Sequence, residues 1–171
     1  AERQEMQQKM RDCADNEIER EYWDKRQLVK KINLNSLYGA ILNPGCRFFD
    51  IRIGQSVTLT GRCITKHMAG KVNEIVAGKY DHKGESVVYG DTDSVYFSAF
   101  KTLQKEINEG VIPWTKDSVV GLYDKIAEEG NSSFKSFMTK AFHTPSTRGE
   151  VIAAGRELVA SKGLFITKKR Y

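Results

Sequence analysis

Apolar positions along this chain follow a helical spacing over most of its length and alternate in one central stretch and in the tail. From Glu2 to Asn16 almost every residue is polar and helix-compatible, with Met6, Met10 and Cys13 forming a thin apolar stripe. That predicts a solvated or loosely packed helix projecting from any core. A stronger pattern runs from Glu17 to Leu42, where Asn43-Pro44-Gly45 ends it. Gln55 to Ala77 repeats Val57, Ile64, Met68, Val72 and Ile75, which predicts a helix with one buried face and His67 at the surface beside it. Gly78 to Gly84 reads as a loop, and Lys101 to Gly110 as a polar helix or loop. Pro113-Trp114-Thr115-Lys116-Asp117 starts another helix or pair of helices carrying Val119, Leu122, Tyr123, Ile126, Phe134, Phe137 and Met138, with Gly130-Asn131 as an interruption. His143, near Pro145, falls in a loop. Alternation then predicts strands over Glu150–Ala154 and Gly163–Thr167.

The central alternating stretch is Ser86 to Ser98. Two short runs rich in valine and aromatics flank Gly90-Asp91-Thr92-Asp93, and a Gly-Asp pair between such runs signals a tight turn, so a β-hairpin is expected. Asp91 and Asp93 stand two residues apart, a spacing that points both side chains to one side of an extended backbone. Adjacent anions repel, and hard carboxylate oxygens suit Mg²⁺ or Mn²⁺ shared with substrate phosphates. A solvated acidic turn is the alternative.

Composition narrows the classes. Forty per cent hydrophobic and 29% charged residues suit a globular body of one domain or a good part of one. Lys plus Arg outnumber Asp plus Glu by 27 to 22, a net charge of +5 that is compatible with a polyanionic partner. No apolar run approaches the roughly 20 residues of a membrane span. No secretory signal opens the chain, and Cys13, Cys46 and Cys63 lack any Cys-x-x-Cys spacing, so reduced thiols in a cytoplasmic setting are expected. A charged helical start and a basic finish at Lys168-Lys169-Arg170-Tyr171 lead to the expectation of a piece of something longer.

The helix ending at Leu42 has two unlike faces. Val29, Ile32, Leu37 and Ala40 fall on one side; Lys31, Asn35 and Tyr38 share an arc on the other, followed by Gly39. A solvated face would explain the arc. Yet Asn, Ser and Gly are weak helix formers, Gly by roughly 1 kcal/mol against Ala, and a mid-helix glycine suits close approach of another molecule.

Tyr89-Gly90-Asp91-Thr92-Asp93-Ser94 resembles the signature hairpin of the family B DNA polymerases, which carries catalytic metal ligands in the palm. Lys31 through Gly39 is similar to that family's fingers motif Lys-x-x-x-Asn-Ser-x-Tyr-Gly, and Lys168-Lys169-Arg170-Tyr171 resembles its Lys-Lys-x-Tyr motif. The three occur in family order and look most like those of phage replicative enzymes. The resemblance implies DNA-directed DNA synthesis with two Mg²⁺ ions, or Mn²⁺, in the complete site. It makes Asp93 a ligand to both ions with Asp91 beside it. Lys31 would hold the incoming deoxynucleoside triphosphate, Asn35 would sit beside it, and Tyr38 and Gly39 would floor the nascent base pair. Lys168, Lys169, Arg170 and Tyr171 would track primer–template DNA, and Glu150 would be an auxiliary acid near the hairpin.

The expected fold is α+β: a mainly antiparallel palm sheet with helices packed on one face and a projecting fingers helix, residues 1–42 being fingers and 43–171 partial palm. No string of the form Asp-x-x-Ser-Leu-Tyr-Pro-Ser occurs, so the other catalytic Asp, the exonuclease and the thumb are expected from a complementary segment, without which the chain is inactive. A non-catalytic palm-like DNA-binding module and a structural subunit of a split polymerase are the alternatives. The place of action is the cytoplasm, that of a bacterial host if the source is a phage.

Overall fold

The computed structural model describes residues 2–13 and 16–167, with only the backbone of Ser146 and Arg148. In chain order the elements are helices α1 (Glu2–Asp12), α2 (Glu17–Ile41) and α3 (Ile51–Ala77), strands β1 (Val87–Asp91) and β2 (Ser94–Phe97), then helices α4 (Gln104–Asn108), α5 (Lys116–Phe142) and α6 (Ser146–Gly149). The architecture is therefore α+β. The chain divides into two compact units, residues 1–58 and 59–171.

In the first unit α1 does not stand alone but runs antiparallel along α2. Glu2 pairs with Lys30 at 2.6 Å, Arg3 Nε donates to Gln27 Oε1 at 3.2 Å, and the Lys9 ammonium sits 4.6 Å from the Trp23 ring. Asn16 caps α2: its Oδ1 accepts from the Glu19 amide at 3.2 Å while its own amide group donates to the Glu19 carboxylate at 3.4 Å. The first of these satisfies a backbone donor that the first turn leaves without a partner, and the second holds the capping side chain in place. Neither helix has a fully buried residue.

Helix α3 starts at Ile51 rather than Gln55 because Asp50 caps it. The Asp50 carboxylate accepts from the Arg52 backbone amide at 2.9 Å and is gripped by the Arg52 guanidinium at 3.1 and 2.8 Å. The Arg52 side chain, then its amide, hold the Asp50 carboxyl down at about 2.

The core of the second unit is Met68 and Val72 of α3 against Ile126 and Phe134 of α5. Gly130 is no interruption: α5 is continuous, and Gly130 lies where a Cβ would come within 2.7 Å of the Met68 thioether. Nor is His67 at the surface. It is buried, stacked on Phe137 with centroids 3.9 Å apart, and hydrogen-bonded through Nδ1 to Tyr80 and Nε2 to Ser133, both at 2.9 Å. The Ser133 hydroxyl donates to the Gly130 carbonyl, so Nε2–H donates to Ser133 and Nδ1 accepts from Tyr80, the neutral tautomer. Burial pushes the His67 pKa down, with the Lys71 charge adding to it.

Two buried or half-buried asparagines fasten the irregular segments. Asn73 donates to the Lys79 carbonyl at 2.7 Å and accepts from the Ser86 amide at 3.2 Å, tying both ends of the loop that leads into β1. Asn131 donates to the Ala154 carbonyl at 2.9 Å and accepts from the Ala154 amide at 2.7 Å. An asparagine thus stands where a neighbouring strand would pair, and the strands expected over 150–154 and 163–167 do not form among the described residues. The tail instead is irregular, with Ile152 and Ala154 against the core and Leu158, Leu164 and Ile166 exposed.

β1 and β2 form a two-stranded antiparallel sheet, with Tyr89 opposite Tyr96, Gly90 opposite Val95 and Asp91 opposite Ser94. Val95 and Phe97 pack onto the α3–α5 core. The register puts Tyr89, Tyr96, Asp91 and Ser94 on the other face, where both tyrosines meet Phe165 at 5.7 Å.

Candidate active site

The hairpin turn sits two residues later than the Gly-Asp signal suggests. Gly90 and Asp91 end β1, and the two-residue loop is Thr92-Asp93. Asp91 therefore belongs to a strand and Asp93 to a turn, so the extended-backbone alternation that made them neighbours does not set their relation. Thr92 does, and it has φ +46°. Two-residue hairpin loops call for positive φ at their first position, where glycine is usual; a β-branched residue there is strained by about 1–2 kcal/mol. Two contacts hold it: the Thr92 hydroxyl donates to Asp91 Oδ1 at 3.1 Å, and the Thr92 carbonyl accepts from Thr65 Oγ1 of α3 at 2.9 Å.

Asp91 is half-buried and Asp93 exposed, and neither carboxylate has an ion-pair partner among the described residues. Two such oxygens fit a hard divalent cation completed by other ligands. Among the described residues no third His, Cys, Asp or Glu joins them in a metal-binding group. Glu150, expected on a strand as an auxiliary acid near the hairpin, is an exposed residue in a turn, and its carboxylate pairs with Lys135 of α5 at 2.6 Å.

On α2, Lys31 and Asn35 are exposed and make no side-chain hydrogen bond or ion pair among the described residues, whereas the neighbouring Lys30 is committed to Glu2. Tyr38 is half-buried and donates to the Gly54 carbonyl at 3.4 Å. Gly39 is open: a Cβ there would meet nothing within 4 Å. Lys168, Lys169, Arg170 and Tyr171 lie outside the described residues. Thr65 was not legible as part of the site, because a hydroxyl in a helix that lies 27 positions before the turn gives no local signal. No helix among the described residues is long and apolar enough to cross a membrane.

The profile described as DNA polymerase family B matches residues 1–112. The chain is 33% identical over 157 residues to a DNA-directed DNA polymerase of Escherichia phage RB69, a match covering 85% of this chain and 17% of that protein. It is 39% identical over 82 residues to a DNA-directed DNA polymerase of Enterobacteria phage T4, covering 46% and 9%. A DNA polymerase 1 of Pyrococcus abyssi is matched at 26% over 172 residues, covering 98% of this chain and 21% of that protein. The chain thus spans no more than about a fifth of these relatives' length. No solved structure matches it significantly. A profile match over well more than half the chain, together with the Asp-Thr-Asp turn, leads to one conclusion: this chain belongs to DNA polymerase family B.

Proposed function

We propose that these residues are the nucleotide-binding fingers helix and part of the metal-binding palm of a DNA-directed DNA polymerase, residues 1–42 serving as fingers and 43–171 as palm. The observation that carries this is Asp91 at the end of β1 and Asp93 in the strained two-residue turn that follows, a turn anchored to α3, in a chain of this family. Asp93, with Asp91 beside it, would hold Mg²⁺ or Mn²⁺. When bound, two such ions lower the pKa of a primer 3′-hydroxyl and offset charge developing on the α-phosphate. Lys31, uncommitted among the described residues, supplies the point charge for triphosphate oxygens, and Asn35 one turn on lies beside the nucleotide. Tyr38 and the open backbone at Gly39 offer a flat floor for a base pair. Lys168, Lys169, Arg170 and Tyr171 grip primer–template DNA, and Glu150 enters only as an auxiliary acid after leaving Lys135.

Two carboxylates are an incomplete ligand set for two ions. The remaining Asp, the exonuclease and the thumb come from polymerase segments outside these residues, which match 17% of the RB69 relative. The place of action is the cytoplasm, that of a bacterial host if the source is a phage. The test is primer extension by this chain alone and mixed with the complementary segments. Extension only in the mixture, lost with Asp93→Ala, is the expected result. Extension by the lone chain removes the need for a complement, and extension by the Asp93→Ala mixture removes the metal role.

The net charge of +5 suits a second reading, a non-catalytic DNA-binding module or structural subunit of a split polymerase. Primer–template affinity indifferent to both Mg²⁺ and Asp93→Ala would establish it.

A further inference from the structure

The tip of the hairpin has few means of holding its shape. Thr92 and Asp93 are exposed, the sheet is only two strands wide, and Thr92 occupies a φ of +46° that its β-branched side chain disfavours. The base of the hairpin is fixed to α3 and α5 through Val95 and Phe97, but those contacts stop short of the loop. Among the described residues, the hydrogen bond that reaches the loop from another element comes from a single hydroxyl. Thr65 Oγ1 lies 2.9 Å from the Thr92 carbonyl and 3.1 Å from the Gly61 carbonyl of its own helix, so its one proton is shared between them.

From this geometry we infer that Thr65 is a positioning residue for Asp91 and Asp93, clamping the turn from α3 so that the two carboxylates are presented in one arrangement. The inference rests on the proposal that these aspartates are metal ligands. The physical route is short. The Thr92 carbonyl and the Asp93 amide belong to one planar peptide unit, so anchoring the oxygen fixes the plane from which Asp93 departs. Fixing the same peptide holds Thr92 in its left-handed state, from which its hydroxyl reaches Asp91 Oδ1 at 3.1 Å. A strained residue of this kind persists where its surroundings over-determine it, and here the surrounding group is Thr65. Asp91 is steered through the Thr92 hydroxyl and Asp93 through the peptide, so one contact governs both.

The test uses the 171-residue chain, Mn²⁺ as the probe, and two readouts. One is the three-bond amide–Hα coupling of residue 92 without metal, which reports its φ. The other is Mn²⁺ affinity, from paramagnetic broadening of the amides of residues 91–94. Thr65→Val keeps the shape and removes the hydroxyl; it is expected to shift residue 92 toward negative φ and weaken Mn²⁺ binding about three- to tenfold, the range of one ordinary hydrogen bond. Thr65→Ser is expected to behave as wild type, and Thr65→Ala, which removes the hydroxyl without adding a methyl, to repeat the valine result. Thr92→Gly supplies the sharper control: glycine takes positive φ without strain, so Thr65→Val in that background should lose most of its effect. Unchanged φ, or shifted φ with unchanged Mn²⁺ affinity, overturns the inference. A wild-type chain that shows the positive φ but no Mn²⁺ broadening at residues 91–94 sinks the ligand proposal itself, and leaves Thr65 a clamp on the turn with no metal to position.

Discussion

Helices α2 and α5 are close in length, 25 and 27 residues, and both carry apolar residues at helical spacing, yet they live in different surroundings. α5 buries Ile126, Gly130, Phe134 and Met138. α2 buries nothing, and the stripe that looked like its inner face is open, with Val29, Ile32 and Leu37 at 55%, 53% and 61% exposure. Periodicity therefore fixes where a helix forms and which residues share a side, but burial requires something to lie against that side. α5 has α3; α2 has the polar α1 along part of its length, and is held besides by its Asn16 cap, by the Tyr38 bond to the Gly54 carbonyl and by pairs such as Glu21–Lys25 at 2.7 Å.

The largest consequence is in the cost of removing an apolar side chain. Phe134 is 2% exposed in the core cluster, and Phe134→Ala should lower the unfolding free energy by about 3–5 kcal/mol. Leu37→Ala, on the same logic, should change it by less than about 0.5 kcal/mol. Urea unfolding followed by circular dichroism measures both. A Leu37 cost approaching that of Phe134 would mean that the open face of α2 is covered, and the contrast between the helices would collapse.

Next in size is the fastening of the tail. Asn131→Ala leaves the Ala154 amide and carbonyl without their partners, at a cost of about 1–3 kcal/mol. It should also speed trypsin cleavage after Lys162. Unaltered cleavage would show that Ile152 and Ala154 hold the tail by packing alone.

That contact also shows where sequence patterns stop being informative. The helices from Glu17 and from Lys116, the hairpin, and the Asp-Thr-Asp motif were legible because spacing, caps and turn residues act over a few positions. The tail was misread because alternation describes a strand only if a partner strand exists, and at Ala154 the backbone groups pair with the Asn131 side chain instead. His67 was misread because a polar residue on a helix is buried when its two ring nitrogens both find partners, and Tyr80 and Ser133 are 13 and 66 positions away. In the candidate site the acids were legible and their geometry was not. The turn shifted to Thr92-Asp93, and the contact with Thr65 is a tertiary fact.

Glycine gives a smaller and finer contrast. Gly39 meets nothing, so Gly39→Ala should stabilise the isolated chain by about 0.5–1 kcal/mol through helix propensity alone. At Gly130 the same gain is offset by pushing the Met68 thioether, and the net change should be near zero. If Gly39 is kept open for a base pair, the stabilised variant should lose primer extension in the complemented enzyme. Full activity there would remove Gly39 from the proposed nucleotide floor.

The smallest effects come from two groups that lose stability in acid for opposite electrostatic reasons. His67 is held neutral by burial, its folded pKa lying below the ordinary value of about 6.5, so its contribution is complete above that pH and fades as pH falls below it. Asp50 is held charged by Arg52, its folded pKa near 2 lying below the ordinary carboxylate range. Its contribution is complete above about pH 4 and is lost as pH falls toward 2. Nuclear magnetic resonance titration of the His67 ring and the Asp50 carboxyl reads each window directly. Salt separates the causes. At about 1 M, where the screening length is near 3 Å, the Asp50 midpoint should rise because its exposed partnership with Arg52 weakens. The His67 midpoint should move less, since desolvation leads its shift and salt does not restore water to a ring stacked on Phe137. If the His67 midpoint followed salt as strongly as Asp50, the Lys71 charge rather than burial would be setting it, and the ring would have to be wetter than its stacking on Phe137 allows.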